Sequence, residues 1–563
     1  MSIEVDSYEE SKVNTKRYKK IKKLLKKVYG YDSFKPKQYE IINNIVSGND
    51  VCAILPTGYG KSLTFQLSAL YLDKIAIVIS PLISLMDDQR IILDELGINS
   101  CCYNSSVKDK YTMKKDIKQS KYKFLYITPE SLLSLKDFLI DIEEHNGISL
   151  IAIDEAHCIS SYGNDFRPKY RDVAFFKEIL PNIPLLAVTA TATETVAEDI
   201  CNVLKLNNKN IIRSSFNREN LYIEIRKKTP KVAKNIPYGP NADIVPIIRK
   251  HKGKSAIIYC LTKAETEKIA EILKSNKINC GVYHGGIDPV ERKETHELFL
   301  ADQLQVMVAT IAYGMGINKS NVRVIIHYGA PKNIEGYYQE IGRAGRDGRK
   351  GYCYVFYGIQ DFKLQESFIA DVKDIDYRHN LSSMLTKMKN YLQSNRCRKK
   401  VILEYFDEDL EDECDFCDNC CGVVQAPAND KYKKVSQNVI TEAKQLIDVM
   451  ESIKGKSYGI GMYIDILRGS NNQKVSKEMK KSKYFGVGKK KSADWWKELS
   501  TKLVELGYMQ SVIMRAGRFT YPIIKVTKKG LTWASLAGYT GLSDIFEGME
   551  ENNLPEISMA NVA

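Results

Sequence analysis

The sequence has no long apolar stretch. None of its runs approaches the roughly 18 residues that a membrane-spanning helix requires, so we expect no membrane partner. The first twelve residues are polar and rich in acidic side chains, which is unlike a secretory signal. Cysteine is sparse, because 13 cysteines in 563 residues are too dilute for a disulfide scaffold, and four of them lie close together. These features predict an intracellular protein with a metal site.

Basic charge is unevenly distributed along a chain of otherwise ordinary composition. The chain has 83 Lys and Arg against 69 Asp and Glu, which gives a net charge of +14. Residues 431–540 contain 22 basic and 8 acidic side chains and so account for the whole excess. Such a segment should bind a polyanion, above all nucleic acid, with salt-sensitive affinity. A lysine-rich composition without any partner is the alternative.

Short β-branched runs alternate with helical stretches from residue 51 to about residue 360. Runs of this kind are typical of buried parallel strands, so we predict two α/β units in tandem that join near residues 213–222. The predicted strands of the first unit are Val51–Leu55, Ile75–Ser80, Phe124–Ile127, Leu150–Ile153 and Leu185–Thr189. Those of the second unit are Ser255–Tyr259, Cys280–Tyr283, Val306–Ala309, Val324–His327 and Tyr352–Phe356.

A glycine-rich segment, LPTGYGKS at residues 55–62, connects the first predicted strand to a predicted helix. Gly58 and Gly60 allow backbone N–H groups to curl around phosphate oxygens, and the helix N-terminus adds partial positive charge. Lys61 can provide a charge for the β- and γ-phosphates, and the Ser62 hydroxyl can bind Mg²⁺. A turn that merely caps the helix is the alternative.

Two carboxylates follow the apolar strand that ends at Ile153. Asp154 at this point can hold Mg²⁺ through water, and Glu155 can polarise an attacking water. A solvated pair at a strand end is the ordinary alternative, but a phosphate loop in the same unit favours a functional pair.

These motifs resemble those of superfamily 2 helicases, and specifically the RecQ family of DNA helicases. Residues 154–157 (DEAH) are similar to the DEAH box, residues 158–168 to the RecQ aromatic-rich loop, and residues 338–347 to the last helicase motif. The likeness extends from about Tyr29 to Thr540, with the motifs in family order. It implies an α/β fold of two tandem RecA-like parallel-sheet lobes, followed by a helical zinc-binding subdomain and a winged-helix domain.

The resemblance also implies a role for each candidate residue. Gln38 would read adenine, and Arg346, with Arg343 beside it, would neutralise the γ-phosphate from the second lobe. The full ATP-binding set is Gln38, Thr57, Gly58, Gly60, Lys61 and Ser62, and the catalytic set is Lys61, Asp154, Glu155, Gln339, Arg343 and Arg346. The residues that bind DNA or couple it to hydrolysis are His157, Tyr162, Phe166, Arg167, Thr189, Thr191, Lys489, Lys490, Arg515 and Arg518. The aromatic-rich loop departs from the family, which usually has Trp at position 162 and His at position 164, where this chain has Tyr162 and Asn164.

Four cysteines are spaced as metal ligands: Cys397, Cys414, Cys417 and Cys420. Four thiolates can close around a tetrahedral Zn²⁺, but they also suit an iron–sulfur cluster. The resemblance implies a structural zinc. Cys421 is a surplus neighbour that we rank below Cys420 as a ligand.

The chain divides into seven predicted segments. They are a basic N-terminal helix (1–28), helicase lobe 1 (29–214), helicase lobe 2 (215–360), a zinc-binding subdomain (361–422), a linker (423–435), a winged-helix, RQC-like domain (436–540) and an acidic tail (541–563). In the winged-helix domain, Lys489 and Lys490 would clamp duplex phosphates, and Arg515 and Arg518 would lie near the tip of a two-stranded wing. The wing could wedge the duplex end or simply bind phosphate. We expect Trp495 and Trp496 to be core residues.

The resemblance implies an ATP- and Mg²⁺-dependent DNA helicase that also carries Zn²⁺. It would move 3′→5′ on single-stranded DNA and unwind duplex DNA, with forked or 3′-tailed DNA as substrate, in repair, recombination or replication. A duplex translocase or RNA helicase is one alternative, and a non-enzymatic duplex-DNA-binding protein with a degenerate motor is another. We expect the protein in the nucleus if it comes from a cellular eukaryote, and otherwise in the cytoplasm or at a viral replication site.

Overall fold

The structure is a computed structural model that describes residues 15–105, 107–163, 165–230, 237–314, 319–422, 440–453, 458–472, 475–505, 508–516 and 519–536. The predicted linker 423–435, the predicted tail 541–563, Asn164 and Arg518 lie outside the described residues. The chain forms two compact units, residues 1–425 and 426–563. Within the described ranges, no helix combines the length and the apolar character needed to cross a membrane.

Seven parallel strands form the sheet of the first lobe, in the order β3-β4-β2-β5-β6-β1-β7. Their bounds are Val51–Ile54 (β1), Ile75–Ile79 (β2), Ser100–Tyr103 (β3), Phe124–Ile127 (β4), Ile148–Ile153 (β5), Leu185–Thr189 (β6) and Ile211–Arg213 (β7). The five predicted strands are confirmed. We missed β3 and β7, the short strands at the two edges. The inner strands are buried along their whole length, as expected when helices cover both faces of a sheet.

The second lobe has a six-stranded parallel sheet in the order β10-β11-β9-β12-β13-β8. Its strands are Leu221–Lys227 (β8), Ser255–Cys260 (β9), Cys280–Tyr283 (β10), Val306–Ala309 (β11), Val322–Tyr328 (β12) and Gly351–Tyr357 (β13). The five predicted strands are again confirmed, and the missed strand, β8, lies at an edge. The predicted α/β architecture of two tandem parallel-sheet lobes is therefore confirmed.

Helices pack around both sheets. Those of the first lobe are Lys16–Leu24, Gln38–Val46, Lys61–Leu72, Ile83–Glu95, Lys110–Lys118, Pro129–Leu132, Lys136–His145, Phe176–Ile179 and Glu194–Val203. Those of the second lobe are Pro240–Asp243, Val245–Lys250, Lys263–Ser275, Pro289–Leu300 and Ile334–Ile341. The next three, Ile359–Ala370, Ile375–Gln393 and Arg398–Tyr405, lead into the cysteine cluster. Short 3₁₀ turns span Leu133–Leu135, Ala156–Ile159, Pro168–Phe175 and Asn207–Lys209.

The first helix continues as a π-helical turn, Leu25–Tyr29. Its apolar stripe includes Ile21 and Leu25, which are fully buried in a small core with Tyr39 and Leu67. The lysines of this helix face outward. The sequence predicted a basic N-terminal helix within residues 1–28, and the described part of that range, from residue 15, is helical and packs on the first lobe.

The second unit combines helices with a pair of antiparallel strands. Its helices are Ile440–Ser452, Ile460–Arg468, Lys477–Lys480, Ala493–Glu505 and Lys528–Leu536, and its strands are Met509–Ala516 (β14) and Phe519–Val526 (β15). Trp495 and Trp496 are buried in its core, as predicted. The Trp496 indole N–H donates a hydrogen bond to the Gly488 carbonyl at 3.1 Å. A Cβ at Gly488 would lie 2.4 Å from the Trp496 ring, so this contact requires glycine.

Candidate nucleotide site and metal centre

The glycine-rich loop after β1 is closely packed by side chains of both lobes. Gly58 and Gly60 adopt left-handed backbone conformations, with φ angles of +78° and +86°. A Cβ at Gly60 would lie 2.5 Å from Nε2 of Gln38, and one at Gly58 would lie 3.0 Å from Cγ of Arg346. The backbone conformation therefore favours glycine at both positions, and a Cβ would in addition push against the Gln38 and Arg346 side chains. The loop leads directly into the helix Lys61–Leu72, whose N-terminus faces the same site.

Gln38 ties the loop to the preceding segment. Its buried side-chain amide donates a hydrogen bond from Nε2 to the Tyr59 carbonyl at 2.9 Å, and its Oε1 accepts one from the Lys35 N–H at 2.9 Å. The Lys35 ammonium donates to the Gly58 carbonyl at 3.0 Å. Because a primary amide offers two N–H groups and two lone pairs, Gln38 can still contact a nucleobase while it holds the loop.

Asp154 and Glu155 lie at the carboxyl end of β5, next to the loop. Burial, reinforced by the neighbouring Glu155 charge, raises the pKa of Asp154 to about 6. Glu155 has its Oε1 3.2 Å from the Lys61 ammonium. Burial raises the pKa of Glu155, but the charges of Lys61, His157 and Arg343 outweigh this effect and lower it. Glu155 is therefore an anion at neutral pH.

A chain of polar contacts runs from Glu155 to the second lobe. Nδ1 of His157 lies 3.4 Å from Oε2 of Glu155 and 2.9 Å from the Thr189 hydroxyl. The Thr189 hydroxyl accepts a hydrogen bond from the Thr191 N–H at 3.3 Å. The Thr191 hydroxyl in turn accepts one from Nε2 of Gln339 at 2.9 Å. These residues therefore link the end of β5 in the first lobe with the helix Ile334–Ile341 in the second.

Cationic side chains from the second lobe approach the loop. Loss of hydration, together with the charges of Arg343 and Arg218, lowers the pKa of Arg346 to about 9. Because crowding of like charges is unfavourable, this position should attract an anionic group. Arg218 donates to the Thr57 carbonyl at 3.2 Å and to the Ala344 carbonyl at 3.0 Å, and so joins the phosphate loop to the last motif.

The predicted nucleotide residues line one cleft of about 880 Å³. Its volume is in the range of small-molecule and cofactor sites, which runs from about 300 to 1,000 Å³. The structure brings eleven of them together there: Gln38, Thr57, Gly58, Gly60, Lys61, Ser62, Asp154, Glu155, Gln339, Arg343 and Arg346.

The aromatic-rich loop, residues 158–168, follows the 3₁₀ turn that carries His157. Tyr162 is 55% exposed and is available to stack on a base, whereas Phe166 is half-buried. Arg167 donates to the Pro81 carbonyl at 2.8 Å and pairs with Asp165 at 3.2 Å. Arg167 therefore also has a role in holding the loop on the first lobe.

The sulfur atoms of Cys397, Cys414, Cys417 and Cys420 all lie within 4.8 Å of one another. The Cys417–Cys420 and Cys414–Cys420 sulfur pairs are 3.4 and 3.8 Å apart. Four sulfurs at about 2.3 Å from a tetrahedral zinc would be separated by about 3.8 Å, so the cluster fits this ion. Cys421 is exposed and donates instead to the Asp415 carbonyl at 3.5 Å, consistent with its lower rank.

The cysteine cluster is anchored on the edge of the second sheet. Asp418 accepts hydrogen bonds from the Ile225 N–H at 2.9 Å and from Nε of the buried Arg398 at 2.8 Å. Its own N–H donates to the Ile223 carbonyl at 2.9 Å. The cluster therefore covers part of the otherwise open edge of β8.

Sequence reasoning missed two groups of residues that hold the lobes together. One is Arg218, described above. The other is in the acidic run 407–413, whose composition alone is typical of a solvated loop. The Asp407 carboxylate accepts from the Glu194 N–H at 2.7 Å, and Glu408 accepts from the Phe216 N–H at 2.7 Å and from the Ser215 hydroxyl. The run is irregular and mostly exposed, as such a loop would be, but these two residues also bind backbone N–H groups at a helix start and in the interlobe connection.

Of the predicted residues in the second unit, Lys489 and Lys490 are exposed on a turn before the helix Ala493–Glu505. Arg515 is the last residue but one of β14, and Arg518 lies outside the described residues.

Four family models match the chain in sequence order. They are the DEAD/DEAH box helicase (residues 35–200), the helicase conserved C-terminal domain (240–348), the RecQ zinc-binding domain (359–421) and the RQC domain (433–540). The zinc-binding match contains all four clustered cysteines, so zinc, rather than an iron–sulfur cluster, is the metal that this centre binds.

The chain is also similar to curated proteins. A protein of Acanthamoeba polyphaga mimivirus, named as an ATP-dependent RNA helicase, is 57% identical to this chain. The aligned region includes 96% of this chain and 97% of that relative. The mouse bifunctional 3'-5' exonuclease/ATP-dependent helicase WRN is 38% identical over 90% of this chain, which spans 36% of that relative. The ATP-dependent DNA helicase RecQ of Haemophilus influenzae is 36% identical, with 87% of this chain and 76% of its own length covered. With the lobes, the zinc centre and the RQC domain all matched, the chain belongs to the RecQ family of superfamily 2 helicases.

Proposed function

We propose that this protein is an ATP- and Mg²⁺-dependent DNA helicase that moves 3′→5′ on single-stranded DNA and unwinds duplex DNA. The observation that carries the proposal is the cleft that brings Lys61 and Glu155 of the first lobe together with Arg346 of the second. A site shared by two lobes can couple nucleotide hydrolysis to movement of one lobe relative to the other. The RecQ relative from H. influenzae, which is named as a DNA helicase, supports the choice of substrate.

Each cleft residue has a physical task in hydrolysis. The backbone N–H groups of the loop and the Lys61 ammonium would bind the phosphates. Gln38 would contact the adenine base. Glu155, kept anionic by Lys61, would orient the attacking water, and Arg346 would neutralise the charge that develops on the γ-phosphate. Ser62 and Asp154 offer oxygen ligands for Mg²⁺, which when bound would neutralise phosphate charge.

The series of polar contacts from Glu155 to Gln339 would couple ATP hydrolysis to movement of the two lobes. Its last contact, between Thr191 and Gln339, crosses from one lobe to the other. A change at Glu155 on phosphate release would alter this contact, and a change in lobe closure would alter the position of Glu155. Repeated closure and opening would move the lobes along a DNA strand in steps.

The basic second unit would contact duplex phosphates through Lys489 and Lys490. Replacement of both by glutamine should lower the slope of log affinity against log salt by about two, because each lost phosphate contact removes about 0.9 from that slope. Duplex binding by the intact protein, measured by fluorescence anisotropy from 50 to 300 mM salt (roughly the range over which such contacts are screened), provides the test. The exposed pair Lys252 and Lys254 on the second lobe, changed to glutamine, serves as the matched control. An unchanged slope in the Lys489/Lys490 variant would mean that these lysines do not bind DNA.

The mimivirus relative supports a second candidate function, because it is named as an RNA helicase. The two helicase lobes do not distinguish DNA from RNA, because contacts to backbone phosphates can be made to either polymer. DNA remains the primary proposal because the RQC match covers residues 433–540, the strongly basic segment.

Strand displacement with ATP on five substrates separates these possibilities. The substrates are forked, 3′-tailed and 5′-tailed DNA duplexes and the corresponding 3′- and 5′-tailed RNA duplexes. We expect unwinding of forked and 3′-tailed DNA that requires Mg²⁺, and little unwinding of 5′-tailed DNA or RNA. Unwinding of the RNA duplexes alone would establish the second function, and a preference for 5′ tails would overturn the polarity. A DNA helicase of this kind would act in repair, recombination or replication.

A further inference from the structure

The helix Ile375–Gln393, in the zinc-binding subdomain, holds the aromatic-rich loop at two points. Nδ2 of Asn380 donates a hydrogen bond to the Ser161 carbonyl at 3.2 Å. The Tyr377 hydroxyl accepts one from the Phe166 N–H at 3.2 Å. The rings of Phe166 and Tyr377 also meet edge to face, with centroids 5.7 Å apart.

The two points lie on either side of Tyr162, the most exposed aromatic residue of the loop. Both involve loop backbone groups, so they fix the course of the chain and not only a side chain. Within the loop, the Gly163 N–H donates to the Ser160 carbonyl at 3.0 Å. A Cβ at Gly163 would lie 2.5 Å from the His157 carbonyl, so this turn is tightly folded onto the preceding segment.

The same loop is continuous with the hydrolysis site. The 3₁₀ turn Ala156–Ile159 precedes it directly and carries His157, which contacts both Glu155 and Thr189. A displacement of the loop therefore reaches His157 through three or four residues of backbone. The helix Ile375–Gln393 fixes the position of the loop before any such displacement, because it holds the loop backbone at Ser161 and Phe166.

Tyr377 is itself well fixed. Its N–H donates at 2.9 Å to the side chain of Asp374, the N-cap of the helix, so Tyr377 lies in a capped first turn. Asn380 follows three residues later on the same helix, and residues three apart lie on one helix face. The helix therefore presents both contacts to the loop as one rigid unit.

We propose that Tyr377 and Asn380 are positioning residues, which hold the aromatic-rich loop so that DNA binding at Tyr162 and Phe166 is transmitted to Glu155. The proposal rests on the proposed function, because it assigns a task within DNA-stimulated ATP hydrolysis. Neither residue lines the nucleotide cleft. Their removal should therefore weaken stimulation by DNA without altering the hydrolysis that occurs without DNA.

The test compares the intact protein with its Tyr377→Phe and Asn380→Ala variants. Tyr377→Phe retains the ring and removes only the hydroxyl group, which accepts the hydrogen bond from the Phe166 N–H. We expect each variant to show a DNA-stimulated kcat lowered about 2- to 10-fold, the effect of losing one hydrogen bond. The basal rate and the KM for ATP should equal those of the unaltered protein. The double variant should lose less than the product of the single effects, because both residues hold one loop.

Ser382→Ala on the same helix is the matched control, since its exposed hydroxyl donates to the Arg378 carbonyl of its own helix at 3.0 Å. This variant should retain full stimulation. Undiminished stimulation in Tyr377→Phe and Asn380→Ala would overturn the proposal, and so would equal losses of basal and stimulated rates, which indicate general damage. An unaltered protein that shows no hydrolysis with or without DNA would instead refute the proposed function.

Discussion

Replacement of Arg346 by alanine should lower the rate of DNA-stimulated ATP hydrolysis by about 10³-fold or more, the usual effect of removing an arginine finger. Arg346 comes from the second lobe, yet its side chain reaches Gly58 of the phosphate loop. Burial, together with the charges of Arg343 and Arg218, lowers the pKa of Arg346, and a bound triphosphate would offset both effects. Nucleotide binding should persist, because Lys61 and the loop remain. Phosphate release under saturating DNA and binding of a fluorescent nucleotide measure the two properties separately.

Arg349→Ala is the control for this experiment. Arg349 lies three residues further along the same motif region, is exposed, and does not line the cleft. Its replacement should leave hydrolysis within about twofold of the original rate, as is usual for surface positions. An Arg346→Ala protein that hydrolyses ATP at a normal rate would show that the second lobe does not complete the site.

Replacement of Cys417 by serine should remove zinc and sharply reduce the soluble yield. Cys417 is fully buried, and its sulfur accepts hydrogen bonds from the backbone N–H groups of Arg398 and Cys420, both at 3.5 Å. These backbone N–H groups stabilise the thiolate form of Cys417, which is the form that binds zinc. Structural zinc contributes its binding energy to folding, about 10 kcal/mol or more in small zinc domains. Metal analysis of the purified protein and its thermal unfolding temperature provide the measurement.

Cys421→Ser provides the comparison, because Cys421 is exposed and lies outside the four-sulfur cluster. We expect this variant to keep about one zinc per chain, with an unchanged unfolding temperature. A well-folded Cys417→Ser protein without metal would show that zinc does not support the fold. Loss of zinc from Cys421→Ser would place the ligand set elsewhere.

The central strands were predictable because burial on both faces produces continuous apolar runs, such as Ile75–Ile79. Three of the four edge strands, β3, β7 and β8, were not. At the β7 edge, Ile211–Arg213 is too short for a pattern, and β8 ends in exposed, charged residues at Arg226 and Lys227. What identifies these segments as strands is pairing with a neighbour, and the neighbour is far away in the sequence.

The residues of the nucleotide cleft were predictable from their motifs, because phosphate binding requires glycine, lysine and carboxylates at characteristic spacings. Arg218 and Glu408 carried no such signal. Each binds backbone groups of a distant segment, Arg218 at Thr57 and Glu408 at Phe216. Backbone groups are the same in almost every residue type, so no partner residue in the sequence indicates such a contact. The support of the aromatic-rich loop by Tyr377 was hidden for the same reason.

ATP turnover by the purified protein, with Mg²⁺ and with or without saturating single-stranded DNA, tests the central claim most directly. If the two lobes share one nucleotide and convert its cleavage into motion on DNA, phosphate release should rise strongly when DNA is added. The Lys61→Ala protein should bind the same DNA with no turnover. Absence of turnover by the unaltered protein, or turnover that Lys61→Ala retains, would contradict the assignment of the cleft between the two lobes as the motor site.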